Sequence, residues 1–384
     1  MKPNRIDIYH FRQPFSIRFH SPQALRVRAD SLLVAIHFEN GITGWGECVP
    51  RDYVTGETTD SVLEILQSVA EPLLFAADIQ SLSDIRRLLQ DLAAGCRSSG
   101  RTPFQCAVAA VDLALIDALG HQGGHPMAAL FSRGERPKTV LRSLSIPFLP
   151  AELIQRLFPV LREQMGLGAV KVLVGPRLGE NIERVSAVRQ LAGPDMPLRI
   201  EVNGKWSLDT ALRQMEALIR FQPAGVEQPL PPGHLNDLRK FREATGLPVI
   251  VDESLCSVDD ARLLIEEDAC DLFNIKVSKC GGLMASLTIA EMAEAAGMGC
   301  QVGSHIGETD ILGNAAEFLV RNGISRDLWF DVGSQFLLSG PEGDPAKAKE
   351  NVFDGSRPGI GVTRKSLQRL VEASEHRMTL TGGR

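Results

Sequence analysis

The chain has 384 residues, a net charge of −6 and 23% charged side chains, which describes a folded protein with room for one barrel and a smaller domain. Its negative balance and lack of a basic block argue against nucleic acid as a partner, and the lack of a long apolar run argues against a membrane span or a signal peptide. Seven scattered cysteines without a Cys-x-x-Cys pair predict reduced thiols and a cytoplasmic location.

The N-terminal part of the chain is predicted to form antiparallel strands between residues 5 and 48. Within it, Asn40-Gly41 separates two apolar runs and is the two-residue signal of a type I′ hairpin turn. The stretch 13–30 is polar, carries several arginines and is predicted to be a loop. These arginines would suit an anionic substrate if the loop reached a site, although a solvated loop is an equally good interpretation.

Helices are predicted from residue 59 to 120, because apolar residues recur there at helical spacing, and Gly120 is predicted to be a C-cap. Strands followed by a block of helices indicate an α+β domain, which we assign to residues 1–135. Strands and helices then alternate over 136–340. The remaining segment, 341–384, is predicted to return to the first domain through a closing helix.

Three carboxylates organise the second domain. Glu201, Glu227 and Asp252 each stand at the end of a short apolar run, and the steps between them are 26 and 25 residues. One strand–helix unit has about this length, so consecutive units would place the three acids at one level on neighbouring parallel strands. Carboxylates that repel one another at one point need a cation, and oxygen ligands suit Mg²⁺.

The same period continues on both sides of the acids. Lys171 precedes them, and Lys276, His305 and Asp331 follow at steps of 24 to 30 residues. Polar residues at successive strand ends are typical of a (β/α) barrel with its site at the C-terminal face. Buried acids at strand ends can also be ion-paired scaffold, but three in register with a lysine on each side favour a site.

This arrangement predicts one class of reaction. A metal ion that binds a substrate carboxylate stabilises the enediolate formed when the α-proton leaves. A lysine that is partly desolvated beside a cation has a lowered pKa and can act as the base.

The chain resembles the enolase superfamily, in its muconate-lactonising subgroup, over nearly its whole length. Each motif is weak alone, but their order and spacing together are specific. The matching motifs are 44–47, 55–58 and 109–120 in the first domain, Glu201-Val202-Asn203, 226–229, 251–254 and Asn274-Ile275-Lys276 with 281–282 in the barrel, and 358–362 near the C-terminus.

The resemblance implies a (β/α)7β modified TIM barrel, with an N-terminal α+β capping domain that the C-terminal segment completes. It implies Mg²⁺ held by the three acids, a small-molecule carboxylate as substrate, and a homo-oligomer without nucleic acid or membrane partners. Lys276 and Lys171 match catalytic lysines, and His305 stands where mandelate-racemase relatives place a catalytic histidine. The residues expected to contact the substrate are Asn203, Asp331, Arg51, Tyr53 and His20.

Three departures from the family pattern limit what carries over. The family's second barrel strand ends in Lys-x-Lys, whereas here Lys171 is followed two residues later by Leu173, and the second lysine is the usual proton-transfer residue. The first metal ligand is Glu201 in place of aspartate. The eighth strand has Gly333 where dipeptide epimerases carry a second acid for a substrate ammonium.

We therefore expect a Mg²⁺-dependent isomerase or lyase that abstracts the α-proton of a carboxylate, with cycloisomerisation or β-elimination preferred because one base suffices for either. Two alternatives stay open. One is a racemase or epimerase of an amino-acid derivative. The other is a barrel that has lost catalysis and only binds a ligand.

Overall fold

The computed structural model describes residues 1–332, 338 and 353–382, except the side chain of Ile17. The first domain contains β1 (Pro3–Phe11), β2 (Pro14–His20), β3 (Leu25–Arg28), β4 (Ser31–Phe38), β5 (Thr43–Cys48), α1 (Thr59–Ile65), α2 (Glu71–Ala76), α3 (Leu82–Ser98), α4 (Gln105–Gly123) and α5 (Met127–Leu130). No helix in the described part of the chain combines the length and the apolar character that a membrane crossing requires.

Strands and helices alternate through the second domain. Its elements are β6 (Val140–Ile146), α6 (Ala151–Met165), β7 (Ala169–Leu173), α7 (Leu178–Ala192), β8 (Leu198–Glu201), α8 (Leu208–Leu218), β9 (Gly225–Glu227), α9 (Leu235–Thr245), β10 (Val249–Val251), α10 (Val258–Glu266), β11 (Leu272–Ile275), α11 (Leu283–Ala295), β12 (Gly299–Val302), α12 (Asp310–Phe318) and β13 (Leu328–Asp331). Near the C-terminus follow α13 (Arg364–Glu372) and β14 (Ser374–Thr381).

Strands β6 to β13 close into a parallel barrel in chain order, because β13 pairs with β6. Seven helices, α6 to α12, connect the eight strands, so the predicted (β/α)7β barrel is confirmed. The helices begin where the sequence places caps. The side chain of Ser207 accepts a hydrogen bond from the Thr210 amide at the start of α8, and Ser257 does the same with Asp260 at α10.

The capping domain is built on a four-stranded antiparallel sheet in the order β14-β1-β4-β5. Since β14 comes from the C-terminal segment, the expectation that this segment completes the capping domain is confirmed. The boundaries of the three predicted segments stay predictions. The 13–30 stretch is not a plain loop, because β2 and β3 form a separate antiparallel ribbon within it.

Glycines allow β5 to lie directly on α4. A Cβ atom on Gly44 would stand 2.0 Å from the Ala114 carbonyl oxygen, and one on Gly46 would stand 1.9 Å from the Ala110 oxygen. Such distances exclude any side chain at either position. The glycines of the 44–47 motif therefore set how closely the sheet and its main helix pack.

Two turn predictions were wrong. Gly41 has a φ of +83° but Asn40 has no positive φ, so the hairpin turn is not type I′. Helix α4 continues past Gly120 and ends at Gly123, and the residue that caps it is Gly124, whose φ is +65°. Gly120 instead gives room to the C-terminal segment, since a Cβ there would meet the Gly359 amide nitrogen at 2.4 Å.

Carboxylates of the capping domain dock onto helix N-termini of the barrel. Asp112 on α4 accepts hydrogen bonds from the amides of Leu283 and Met284 at the start of α11, at 2.5 and 3.2 Å. Glu47 at the end of β5 accepts from the amides of Thr309 and Leu312 at α12, at 2.9 and 3.2 Å. These carboxyl oxygens satisfy free amides at the two helix N-termini, so the contacts fix the capping domain over the barrel mouth.

We predict that Gly282→Ala destabilises the protein by at least about 2 kcal/mol, because Gly282 has a φ of +100° and its added Cβ would stand 2.3 Å from Oδ2 of Asp112. Gly297→Ala, beyond the other end of α11, is the control. It also has a positive φ, +76°, but its Cβ meets no atom within 4 Å, so we expect a cost of about 1 kcal/mol. Urea unfolding of both variants measures the difference, and equal costs would contradict the close approach of Asp112.

Candidate metal centre and active site

Three acids gather at the C-terminal end of the barrel. Glu201 and Glu227 end β8 and β9 and are direct register partners, and Asp252 follows β10. One carboxylate oxygen from each lies within 4.8 Å of the others, and all three side chains are buried. The βα period in the sequence therefore predicted which strand ends meet.

Two lysines approach the acids from opposite sides of the barrel. Nζ of Lys171, on β7, lies 3.1 Å from Glu201, 2.9 Å from Glu227 and 2.7 Å from Asp331. Nζ of Lys276, just after β11, lies 2.6 Å from Oδ2 of Asp252. Both lysines line the same cavity as Glu201 and Asp252. The predicted catalytic lysines are therefore brought together with the predicted metal ligands.

A layer of polar side chains supports the acids from within the barrel. Arg199 donates to Asp331 at 2.7 Å and also to Gln301 and Ser143. Gln301 donates to Glu227 at 3.0 Å and to Asp331 at 3.1 Å. The sequence analysis did not single out these residues. The sequence does predict the direction of the Arg199 side chain. Arg199 precedes Glu201 by two positions on one strand, so the two side chains must point to the same side of the sheet.

Glu227 is the most completely bonded of the three acids. Its two oxygens accept from Lys171 at 3.0 and 2.9 Å, from Asn274 at 2.7 Å and from Gln301 at 3.0 Å. Asn274 again stands two residues before a site residue, Lys276, on the same strand. The barrel interior therefore holds Glu227 in one orientation at the floor of the site.

Asp252 has a second ammonium partner that the sequence analysis missed. Nζ of Lys279 lies 2.8 Å from Oδ1 of Asp252 and also donates to its backbone oxygen at 2.5 Å. Burial opposes ionisation of Asp252, but Lys276 and Lys279 together hold its pKa well below the usual range. Asp252 is therefore ionised at neutral pH.

Another buried acid, Glu253, joins the rim of the site. Its Oε1 accepts from Gln23 of the capping domain at 2.6 Å and from Asn203 at 3.2 Å. Asn203 also donates to Glu201 at 2.6 Å. The segment between β2 and β3 is thereby tied to the ends of the third and fifth barrel strands, so it helps to close the cavity.

Acids outnumber cations among these buried side chains. The buried acids are Glu201, Glu227, Asp252, Glu253 and Asp331, and the buried cations facing them are Lys171, Lys276, Lys279 and Arg199. Burial and neighbouring acids raise the pKa of Glu201 to about 8 and that of Glu253 to about 7. The positive charge of a divalent cation would favour the ionised forms of both acids. Three converging carboxylates fit such an ion.

His305 is buried against the cavity without hydrogen-bonding partners for either ring nitrogen among the described residues. Burial lowers its pKa well below the usual value, and Lys276 and Arg51 lower it further. The imidazole is therefore neutral. None of the acids in the described residues hydrogen-bonds to its ring, and its catalytic role stays a prediction.

The predicted substrate contacts divide into two groups. Asn203, Asp331, Arg51 and Tyr53 line the cavity, whereas His20 is exposed and stacks edge-on against Phe148 outside the lining. The Arg51 guanidinium donates to the backbone oxygens of residues 30, 50 and 306, and the Tyr53 hydroxyl accepts from Arg26 at 2.9 Å. Arg51 thus holds the cavity wall together.

Leu173 lies where the family pattern has its second lysine. It is the register partner of Glu201, its side chain is 2% exposed, and it lines the cavity. The isobutyl group of Leu173 therefore lies on the side of the site that β7, the second barrel strand, forms. Gly333, where dipeptide epimerases carry a second acid, lies outside the described residues.

Two family models together match most of the chain. The model for the N-terminal domain of mandelate racemase / muconate lactonizing enzyme matches residues 6–132, and the model described as enolase C-terminal domain-like matches residues 155–366.

Individual relatives agree with these models. An N-succinyl-L-Arg/Lys racemase from Bacillus cereus is 30% identical over 310 residues, which is 80% of each chain. The structure of a dipeptide epimerase from Enterococcus faecalis, complexed with Mg and the dipeptide L-Leu-L-Tyr, covers 95% of this chain and 100% of its own, with 26% identity and a TM-score of 0.81. A muconate lactonizing enzyme from Pseudomonas fluorescens shares the fold at 22% identity, with a TM-score of 0.83 over 97% of this chain and 99% of its own.

The expected fold and the expected family are therefore confirmed together. The chain belongs to the mandelate racemase and muconate lactonizing enzyme group of the enolase superfamily.

Proposed function

We propose that this chain is a Mg²⁺-dependent enzyme that removes the α-proton of a small carboxylate substrate, with Lys276 as the base on one face and no base on the other. The observation that carries the proposal is the asymmetry of the cavity. Lys276 faces it beside Asp252, whereas the apolar side chain of Leu173 occupies the opposite strand.

Glu201, Glu227 and Asp252 would hold the cation. When bound, it supplies positive charge that stabilises the enediolate and weakens the hold of Asp252 on the Lys276 proton. Asp252 keeps Lys279 as a second partner. Lys276 can therefore exchange a proton with substrate while Asp252 stays paired.

Lys171 is proposed to bind and orient the substrate carboxylate rather than to move a proton. Burial alone would lower its pKa, but Asp331, Glu201 and Glu227 together raise it well above the usual value. Against the effect of burial, Asp252 raises the pKa of Lys276 as well, in place of the lowered value that the sequence predicted. Lys276 is paired with that one carboxylate, whereas three carboxylates hold Lys171 protonated and make it the poorer base. Its ammonium group lines the cavity and can offer positive charge to an anionic ligand.

A single base limits the outcome of the reaction. Cycloisomerisation and syn-elimination need one proton acceptor, which can later return the proton to the leaving group on the same face. Racemisation needs an acceptor on one face and a donor on the other. The geometry supports the first class of outcome best.

The second candidate is a racemase or epimerase of an amino-acid derivative. The comparisons support it more than they support a cycloisomerase or β-eliminating enzyme, because relatives at 28% to 30% identity act as racemases and epimerases. A racemase or epimerase requires a proton donor on the side of the site that β7, the second barrel strand, forms. Of the lysines in the described residues, Lys171 and Lys276 line the cavity, so Lys171 would have to take that part.

Hydrogen–deuterium exchange separates these candidates. Each enantiomer of N-succinyl and N-acetyl amino acids and of dipeptides is incubated with the protein and Mg²⁺ in D₂O, and the α-proton signal is followed by NMR. We expect exchange or turnover with one enantiomer of an accepted compound. Exchange with both at comparable rates, with interconversion, would establish the racemase or epimerase. Binding without exchange for every compound would favour the barrel that has lost catalysis.

We further predict that Leu173→Lys creates proton exchange on the face of the substrate that has no base in the wild-type protein. The new ammonium group would stand on the strand opposite Lys276, as in the family's Lys-x-Lys pattern. Leu173→Met, which has similar volume and carries no proton, is the control and should leave exchange one-sided. NMR of the second enantiomer measures the gain, and its absence in a folded, metal-binding Leu173→Lys protein would contradict this account of the asymmetry.

A further inference from the structure

The cavity that Glu201 and Asp252 line is also lined by a group of apolar side chains, and we call the part of the cavity beside them the apolar arm. The whole cavity is about 180 Å³. Its charged end is formed by the strand-end residues described above. The other end is lined by apolar side chains from β6, the following connection and one face of α6, chiefly Ile146, Leu149, Leu157, Phe158, Leu161 and Met165.

The side chains on this face of α6 are apolar but only partly packed. Ile154 and Phe158 belong to the hydrophobic core, whereas Leu157, Leu161 and Met165 are not part of that cluster. Leu157 and Leu161 keep partial exposure. These positions recur at helical spacing, so they form one stripe along the helix. The stripe faces the cavity in place of a close-packed core.

The arm lies on the helix side of the barrel wall. Ser143 on β6 points inward, since it accepts a hydrogen bond from Arg199 in the barrel interior. Leu144 and Ile146 alternate with it and therefore point outward toward the helices. The connection after β6 and Leu173 at the end of β7 line the same cavity as the α6 side chains. The residue that replaces a lysine thus extends the apolar wall up to the acids.

We propose that the substrate carries an apolar tail several carbons long, which enters the arm between β6 and α6 while its carboxylate stays at the acids. The proposal rests on the function proposed above and names the substrate class of that site. Polar groups in this arm would lose water without gaining partners. An aliphatic or aromatic tail loses only unfavourable hydration and gains contacts with the α6 stripe.

Binding should therefore strengthen with tail length. A fully buried methylene improves affinity by roughly threefold to fourfold. The tail could be attached to the amino group or to the α-carbon, and two series of probe compounds distinguish these attachment points. One is N-acetyl, N-butanoyl, N-hexanoyl and N-octanoyl-L-alanine. The other is N-acetyl-L-amino acids with straight side chains of one to six carbons.

Calorimetry of the full chain with Mg²⁺ and each probe tests the proposal. We expect affinity to rise about threefold per methylene in one series until the arm is full. Flat or falling affinity in both series, or no binding by any member, would overturn the proposal.

Two variants on α6 show whether the gain comes from the arm. Leu161→Trp fills it, so the dependence on tail length should disappear. Val160→Trp adds the same ring on the outer face of the helix, where Val160 is 50% exposed, and should keep the dependence. Thermal melting checks that both fold. An unchanged length dependence in folded Leu161→Trp would place the tail elsewhere and overturn the proposal.

Failure of this inference is distinguishable from failure of the proposed function. Exchange that depends on Lys276 together with a flat length series would overturn the apolar tail alone. Affinity that rises with length and is lost in Leu161→Trp, without exchange of any probe, would support the tail and count against α-proton chemistry.

Discussion

Lys276→Ala is expected to lower the rate of α-proton exchange by about 10²- to 10⁴-fold, the range associated with loss of a general base. Fold and metal binding should survive, because Asp252 keeps its ion pair with Lys279 at 2.8 Å. Substrate affinity should change much less than rate, since Lys171 remains to face the carboxylate. Exchange into an accepted substrate in D₂O, followed by NMR, measures the effect.

Two further measurements tie the loss to proton transfer. Lys276→Met fills most of the volume of the lysine and should be as inactive as the alanine variant. Small primary amines added to Lys276→Ala should restore part of the rate, because they can occupy the space left beside Asp252. A Lys276→Ala protein with nearly full exchange would contradict the assignment and move the base to Lys171 or His305.

The positions of the acids were predictable because two rules act together. A strand–helix unit has a nearly fixed length, and parallel strands present their carboxyl ends at one edge. Glu201, Glu227 and Asp252 had only to be recognised as ends of apolar runs. The same rules located Lys171, Lys276 and Asp331.

The supporting polar layer could not be predicted in the same way. Arg199 and Gln301 sit inside short strands that read as apolar, and their partners, Ser143 and Asp331, come from strands far away in sequence. Spacing shows which way such a side chain points, but not which distant side chain meets it. The apolar arm could not be predicted from the sequence for a similar reason. The stripe on α6 reads as an ordinary core face, and only the structure shows that its members face a cavity.

Local turn chemistry was less predictable than the barrel. Asn40-Gly41 is the strongest short hairpin signal, yet only Gly41 takes a positive φ, because the loop is closed by a hydrogen bond from the Phe38 amide to the Ile42 oxygen at 2.9 Å. Gly120 likewise predicts a helix end, because glycine is a common C-cap residue. In the structure it instead allows close contact with Gly359, which lies 239 residues later in the chain.

Glu227→Gln is expected to weaken Mg²⁺ binding by more than about 100-fold, because a residue that binds the metal directly matters at least as much as the residues that hydrogen-bond to its ligands, whose loss costs about 10- to 100-fold. The change removes one of three charged ligands. It also places an amide NH₂ among donors, since Lys171, Asn274 and Gln301 all donate to Glu227. The protein should still fold, because Lys171 keeps its ion pairs with Glu201 and Asp331. Calorimetric titration with Mg²⁺ measures the loss.

Glu253→Gln is the matched control for this prediction. Glu253 is also buried, it lines the cavity, and its replacement is the same change from a carboxyl group to an amide. It is not one of the three acids whose oxygens converge, so its glutamine variant should lose less than about 10-fold in Mg²⁺ affinity. If both variants lost affinity equally, the total charge of the cavity rather than ligation would govern binding. If Glu227→Gln kept wild-type affinity, the metal site would have to lie elsewhere in the cavity, and the base assigned to Lys276 would lose the cation that makes its chemistry feasible.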